Sequence, residues 1–340
     1  LRSGSSQYRM LGQNVAAVNI IYIISVLFRG AVTPRAYDAI GAQLERIRKV
    51  MPCDAHLVPR AEQHGEIGTD FYHGGLAIPG YAGLHPARYV AGLAQAAERA
   101  GVTIIGGIRV TAIERQAAGF RVSAGRKQIQ AKQVLLATNG YNGSLYPFLQ
   151  RRIIPIRSAI IATEPLPSAV MSRLMPKRRM LAGSQRVVTY FRPSPDGTRI
   201  VFGGRVLKVT GEDVVETNAA HLRKQMLQVF PELADAGISH YWHGQTGFTF
   251  DKLPHLGQHE GVDYACGSTG PVSRVPAGSA TRLPSACWGS KINRVPTKIC
   301  PSAAVISITA SPGFCPSPFS ITRCVTAGTS GNAGPSASIG

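Results

Sequence analysis

Apolar and polar positions alternate with two periods along residues 36–267, and the period separates helix from strand. YDAIGAQLERIRKVM, residues 37–51, spaces its apolar side chains three and four apart and stops before Pro52, which predicts a helix. HPARYVAGLAQAAERAG, residues 85–101, predicts a second, with Pro86 in its first turn and Gly101 closing it. VTIIGG follows at once as a β-branched run, so residues 85–106 read as a helix-to-strand unit of the α/β kind. FYHGGLAI, residues 71–78, reads as a strand between turn residues. VTAIERQ, FRVSA and KQIQA alternate with period two and predict an antiparallel meander. VLLATNGY, residues 134–141, is a continuous apolar run ending in a glycine turn, the pattern of a buried strand whose carboxyl end opens on a ligand crevice.

Further on, IIPIRSAIIATE, VVTYFRP and TRIVFGGR predict a second, β-rich sheet. DVVETNAAHLRKQMLQVF, residues 213–230, is a helix with acids first and bases later, the order the helix dipole favours. SHYWHGQTGFTF and VDYACG are the last strand candidates, and basic stretches such as RRMLAGSQR read as solvated faces. The apolar run AAVNIIYIISVLF, residues 16–28, is shorter than the roughly 20 residues a membrane-crossing helix needs, although it imitates the core of an export signal. No repeat period is visible.

Composition changes this picture mainly at the two ends. The 340 residues are 44% apolar, with mean hydropathy +0.02, enough for a sizeable core. Net charge is +19, yet residues 1–35 and 271–340 together hold ten of the 37 bases and none of the 18 acids. The excess therefore comes from missing acids and not from clustered Lys and Arg, which argues against nucleic acid as a partner, and no membrane partner is expected. Cys53 and Cys266 stand alone and no CxxC spacing occurs, so the interleaved region fits a reducing compartment, the cytoplasm. His240 with His243, and His255 with His259, lack the carboxylate or thiol partners of a metal site, and none is expected. The fingerprints GxGxxG, GxxxxGK[ST] and GxSxG are absent.

YHGGL, GLHPARYVAGLAQAAERAGV, RVTAIER, VLLATNGY, IIPIRSAIIATEPLP, YFRPSPDGTRIVFGGR and WHGQTGFTFDKLPHLG stand in an order and spacing that resembles FAD-dependent oxidoreductases of the glycine and D-amino-acid oxidase family, in particular the gamma-glutamylputrescine oxidase-like branch. The resemblance covers residues 36–270. It implies an α/β fold, an incomplete FAD-binding domain of the glutathione-reductase-like type with a β-rich substrate domain at about residues 153–250. The first βαβ unit with its glycine-rich loop is not found, and residues 1–35 resemble nothing in the family. By the same resemblance, the backbone at Val110 meets the adenine of FAD. Thr138, Asn139 and Gly140 form the strand-end turn beside ribose and pyrophosphate. Asp251 and Pro254 lie in a loop near the flavin, and Gly267, Ser268, Thr269 and Gly270 begin the turn that donates backbone N–H groups to it. Tyr190 and Arg205 face the substrate, where an arginine suits a carboxylate.

The implied chemistry is oxidation of a C–N bond of a small amine or amino acid, with FAD as cofactor and oxygen as acceptor, releasing hydrogen peroxide. No catalytic acid or base is singled out, because the cofactor performs the difficult step. The alternative is a truncated, catalytically inactive relative that binds no flavin, since the missing loop and helix N-terminus are the main anion site for the cofactor. Which amine is used and which oligomer forms are left open.

Past Gly270 the chain changes character: residues 271–340 hold twelve Ser, nine Pro and four of the six Cys. The family continues with Gly-Ser-Gly-Val, then a helix containing Trp-Leu-Gly-His-Lys and a later Pro-Trp-Phe-Leu-Pro. In the neighbouring reading frame the codons of residues 278–282 permit the first of these pentapeptides and those of 312–316 the second. The expectation is a frame-shifted, poorly ordered tail over residues 271–340.

Overall fold

The computed structural model describes residues 22–267 and 303–306. Strand β1 (Tyr22–Gly30) leads to helix α1 (Pro34–Val50), β2 (His56–Val58), β3 (Gly75–Leu84) and helix α2 (Pro86–Arg99). The meander β4 (Val110–Gln116), β5 (Gly119–Ala124) and β6 (Lys127–Ala131) follows, then β7 (Gln133–Leu136), the single turn α3 (Pro147–Gln150) and β8 (Ile154–Thr163). Next come α4 (Ser168–Leu174), β9 (Met180–Gly183), β10 (Tyr190–Pro193), β11 (Ile200–Arg205) and α5 (Val214–Val229). The strands β12 (Ile238–Phe248), β13 (His255–His259), β14 (Val262–Cys266) and β15 (Ala303–Ile306) complete the set.

Three sheets result. The largest has eight strands in the order β12-β8-β11-β10-β9-β1-β3-β2, a smaller one runs β13-β14-β7-β15, and the meander β4-β5-β6 forms a third. One face of the large sheet carries Phe28, Ala159, Ile161, Leu181, Phe191 and Phe202, which are buried against Leu222, Met226 and Val229 of α5 and against Met171 and Leu174 of α4. Each such large side chain contributes roughly 1.5–3 kcal/mol on removal from water. Asn218 locks α5 to the loop after β11: its side-chain oxygen accepts the N–H groups of Leu207 and Lys208, and its amide donates to the Lys208 carbonyl. Helix α1 starts where Thr33 accepts the Ala36 N–H at 3.1 Å ahead of Pro34, ends with Arg48 and Lys49, and buries Ile40 and Leu44.

Several expectations need correction. The apolar run at residues 16–28 is β-structure from Tyr22 onward: β1 lies inside the large sheet between β3 and β9, with Phe28 fully buried, so its apolarity serves the core. The ordered unit therefore begins before residue 36, and the β-rich sheet takes in β1 to β3 as well as residues 153–250. RRMLAGSQR is not only a solvated face, because Met180–Gly183 forms β9 with Leu181 in the core; a strand of four residues leaves too short a pattern to read. VTIIGG forms no strand, since none of the described residues pairs with it. In the tail, Ala303–Ile306 lies parallel to β7, and the rest of residues 271–340 lies outside the described residues. Among the described residues no helix is long and apolar enough to cross a membrane.

Candidate substrate and cofactor site

Strands β7 and β14 are parallel neighbours, with Leu135 opposite Asp263 and Leu136 opposite Tyr264. Their carboxyl ends therefore open in the same direction, the place where α/β sheets bind ligands. Thr138, Asn139 and Gly140 leave from β7 and Gly267 leaves from β14. The turn after β7 is held from within: the Thr138 hydroxyl donates to Asn142 Oδ1, the Asn142 amide donates to Asn139 O at 2.6 Å, and the Tyr141 N–H donates to Thr138 O at 2.9 Å. Asn139 adopts the left-handed backbone, φ 48°, which asparagine tolerates well.

This turn presses on β12. Asn139 Oδ1 accepts the Gly247 N–H at 3.0 Å and the Tyr141 hydroxyl accepts the Gln245 N–H at 2.8 Å. The loop after β12 then meets the end of β14. The Thr249 hydroxyl donates to Leu253 O at 2.7 Å, and a Cβ on Gly267, φ 83°, would lie 2.5 Å from that same carbonyl and 3.2 Å from Pro254 Cα. Asp251 accepts the Leu253 N–H at 3.0 Å and pairs with the His255 ring at 2.9 Å. The hydrogen bond from His255, followed by that from Leu253, draws the Asp251 carboxyl down to about 2. The structure thus gathers Thr138, Asn139, Gly140, Asp251, Pro254 and Gly267 around the far end of β12. Ser268, Thr269 and Gly270 lie outside the described residues. Val110 is buried at the start of β4 among Phe120, Val122, Val134 and Leu136, so its side chain serves the core.

Tyr190 and Arg205 stand elsewhere, on the face of the large sheet opposite its core. Directly opposed residues of neighbouring strands point to the same side. Trp242, Ile160, Gly203 and Tyr190 form one such row across β12, β8, β11 and β10, and Gly244, Ser158 and Arg205 form the next. The Tyr190 ring lies over Gly203, where a side chain would leave it no room, and its hydroxyl sits 2.6 Å from Ser158 Oγ, which also donates to Gly204 O at 2.9 Å. Burial of the ring pushes the Tyr190 phenol up, against the opposing pull of Ser158.

Two residues not anticipated from sequence join the two places. A Cβ on Gly244 would meet the Tyr141 hydroxyl at 3.5 Å, so Tyr141 stands over the same face as Ser158, the direct cross-strand partner of Gly244. Tyr141 was visible in VLLATNGY and Ser158 in IIPIRSAII, but only the register of β12 on β8 brings them together. The histidines serve structural contacts. His259 stacks on Phe148 at 3.9 Å with its ring 2.9 Å from the Tyr146 hydroxyl, and His240 sits 2.8 Å from Ser239 Oγ.

Whether these residues fit FAD turns on its pyrophosphate, which requires free N–H groups at a helix N-terminus or a glycine-lined loop. Helix α1 opens with Pro34 behind its Thr33 cap, and α2 with Pro86 behind His85, whose ring accepts the Arg88 N–H. Helix α5 opens with Asp213 and carries Glu216 in its first turn, which repel an anion. In the strand-end turn, a Cβ on Gly140 would lie 3.1 Å from Gly247 N and 3.2 Å from Gln245 Cβ, so this glycine admits the protein's own strand. A cleft of about 250 Å³ lined by Val32, Phe71, Gln185, Thr189 and Gln225 includes none of the expected residues and is smaller than the usual ligand pocket of about 300–1,000 Å³. Among the described residues, therefore, the fit to a dinucleotide fails at the phosphates.

The chain is 35% identical over 198 residues to a probable oxidoreductase, OrdL, of Rhizobium meliloti (strain 1021), a match covering 58% of this chain and 45% of that protein. It is 27% identical over 206 residues to gamma-glutamylputrescine oxidoreductase of Escherichia coli (strain K12), covering 60% and 46%. It thus spans about half the length of the curated relatives it matches. In fold it is similar to glycine oxidase from Geobacillus kaustophilus, with TM-score 0.64 at 17% identity over 77% of this chain and 72% of that one. Iminodiacetate oxidase from Chelativorans sp. BNC1 gives 0.68 at 15% over 88% and 83%. The profile of the FAD dependent oxidoreductase family (DAO) matches residues 23–278, a span that begins earlier and ends later than residues 36–270. With three quarters of its length matched in this way, the chain belongs to the FAD-dependent oxidoreductase family.

Proposed function

We propose that this chain carries the substrate-recognising sheet of a glutathione-reductase-like FAD-dependent oxidoreductase, one that oxidises the C–N bond of a small amine or amino acid in the cytoplasm with oxygen as acceptor. The observation that carries this reading is the open sheet face on which the Tyr190 hydroxyl, 2.6 Å from Ser158, stands beside the row ending in Arg205. The phenol and serine offer hydrogen bonds to an amine or carboxylate, and the exposed guanidinium offers a bidentate partner for a carboxylate. Gamma-glutamylputrescine oxidoreductase and the glycine and iminodiacetate oxidases bear names of small amine or amino-acid substrates, which supports the substrate class.

A second reading, an inactive relative that holds no flavin, is favoured by the strand-end turn closed on β12 and by the capped or acidic helix starts. Purification separates the two. A yellow product with flavin absorbance that releases hydrogen peroxide from an amine or amino-acid panel establishes the oxidase. A folded, colourless product that takes up no added FAD, yet shows quenched tryptophan fluorescence with the panel, establishes a substrate-binding relic.

A further inference from the structure

The open face of the large sheet carries charge of one sign. Strands β1 and β8–β12 place Arg29, Arg192 and Arg205 on this face and contain no Asp or Glu anywhere in their lengths. Register fixes where the three stand. Arg29 is opposite Ala182, Ala182 opposite Tyr190 and Tyr190 opposite Gly203, so these four residues form one row. Arg205 stands one row further, opposite Ser158, and Arg192 one row back, opposite Val201. None of the three makes an ion pair among the described residues. Cations on neighbouring strands gain from an opposed carboxylate, and a partly buried one loses hydration that nothing else replaces. Arg192 shows this: one guanidinium nitrogen donates to the Leu84 carbonyl at 3.0 Å, and burial pulls the group's pKa down.

We propose that this face holds its ligand by two carboxylates, one on Arg205 and one on Arg29, so that the substrate is a small amine built on a dicarboxylate skeleton. This rests on the oxidoreductase reading of the same face given above, to which it adds the second negative group. With strands about 4.8 Å apart and rows about 7 Å apart, Arg29 and Arg205, three strands and one row from each other, leave the sheet about 16 Å apart. Each guanidinium stands well out from its Cα, so two that turn towards each other leave between them a gap suited to carboxylates joined by a few carbons. Only the methyl group of Ala182 rises from the sheet between Arg29 and Tyr190, which leaves that gap open. The Tyr190 hydroxyl and Ser158, 2.6 Å apart, lie between the two arginines and receive the nitrogen. Each arginine offers a carboxylate a bidentate pair.

Trp242 lies in the Tyr190 row, so its fluorescence reports occupancy of the face. Glutamate, glutamine and glutarate are titrated into the full chain without FAD at about 0.15 M ionic strength, where attraction beyond about 8 Å is screened. Glutamine differs from glutamate by loss of the second charge, and glutarate by loss of the amine. Glutamate should bind at least about tenfold more tightly than glutamine. Arg29→Gln should bring glutamate down to the glutamine level, and Arg29→Lys, which keeps the charge without the planar fork, should fall between the two. Glutamine bound as tightly as glutamate overturns the proposal and leaves the amino-acid reading standing. So does an Arg29→Gln chain, folded as the parent by circular dichroism, that keeps the full preference. Glutarate bound as tightly as glutamate supports the two-carboxylate face and counts against the amine-oxidising reading alone. No quenching by any of the three overturns both.

Discussion

Gly140 and Gly247 meet backbone against backbone: a Cβ on the first would lie 3.1 Å from the nitrogen of the second, and a Cβ on the second 3.0 Å from the nitrogen of the first. The same side of Gly247 is 2.9 Å from the Asn139 carbonyl carbon and 2.7 Å from its side-chain oxygen. This contact fastens the turn after β7 to β12 and so ties the small sheet to the large one.

Gly247→Ala is expected to destabilise the protein by about 1–3 kcal/mol, the range for forcing a methyl group into a filled site. Gly140→Ala should cost a similar amount. Because both substitutions open the same contact, the double variant should lose less than the sum of the two, a coupling that urea midpoints of the four proteins measure.

Tyr190→Phe removes the partner of Ser158, whose hydroxyl keeps the Gly204 carbonyl. The fold should lose no more than about 1 kcal/mol, as for one half-exposed hydrogen bond. Binding of an amine or amino acid should weaken about tenfold, and Arg205→Met should weaken amino acids more than amines lacking a carboxylate. Fluorescence titration with paired ligands reads both effects.

Asp251 predicts a pH effect of definite sign. Its carboxyl is drawn down from 3.8 to about 2 in the folded protein, so the stabilisation it brings is complete above pH 4 and is lost as pH falls towards 2. Asp251→Asn should therefore flatten the decline of melting temperature across that window. A variant as acid-sensitive as the parent would remove the Asp251–His255 pair from the account.

Glu66 is a buried carboxylate held by two cations, Lys177 at 2.6 Å and Arg179. Lys177 is half exposed and Arg179 largely buried. Glu66→Ala should cost about 2–4 kcal/mol, since it leaves a desolvated guanidinium alone. Lys177→Ala should cost less than about 1 kcal/mol. Thermal denaturation of the two variants checks the order.

How far the sequence reveals this protein depends on where each residue's partners lie. Helices α1, α2 and α5 and the β4–β6 meander are legible because periodicity, caps and turns act over a few residues. Strand β9 escapes, since four residues give no period and its meaning comes from β1, some 150 positions earlier. VTIIGG shows the opposite failure: its local preference for strand is clear, but a strand exists only with a neighbour. Of the candidate residues, Asn139, Gly140, Asp251 and Gly267 are expected by resemblance alone, whereas Tyr141 and Ser158 come together only through the register of β12 on β8.

The parallel pairing of Leu27–Gly30 with Met180–Gly183 also governs how the molecule is made. A nascent chain emerging from the ribosome presents β1 long before the β9 residues that pair with it have been synthesised. Contacts so distant in sequence slow folding and lengthen the exposure of sticky surface. Pairing of the second edge of β1 thus waits on the arrival of residue 183, and until then only its antiparallel pairing with β3 covers it.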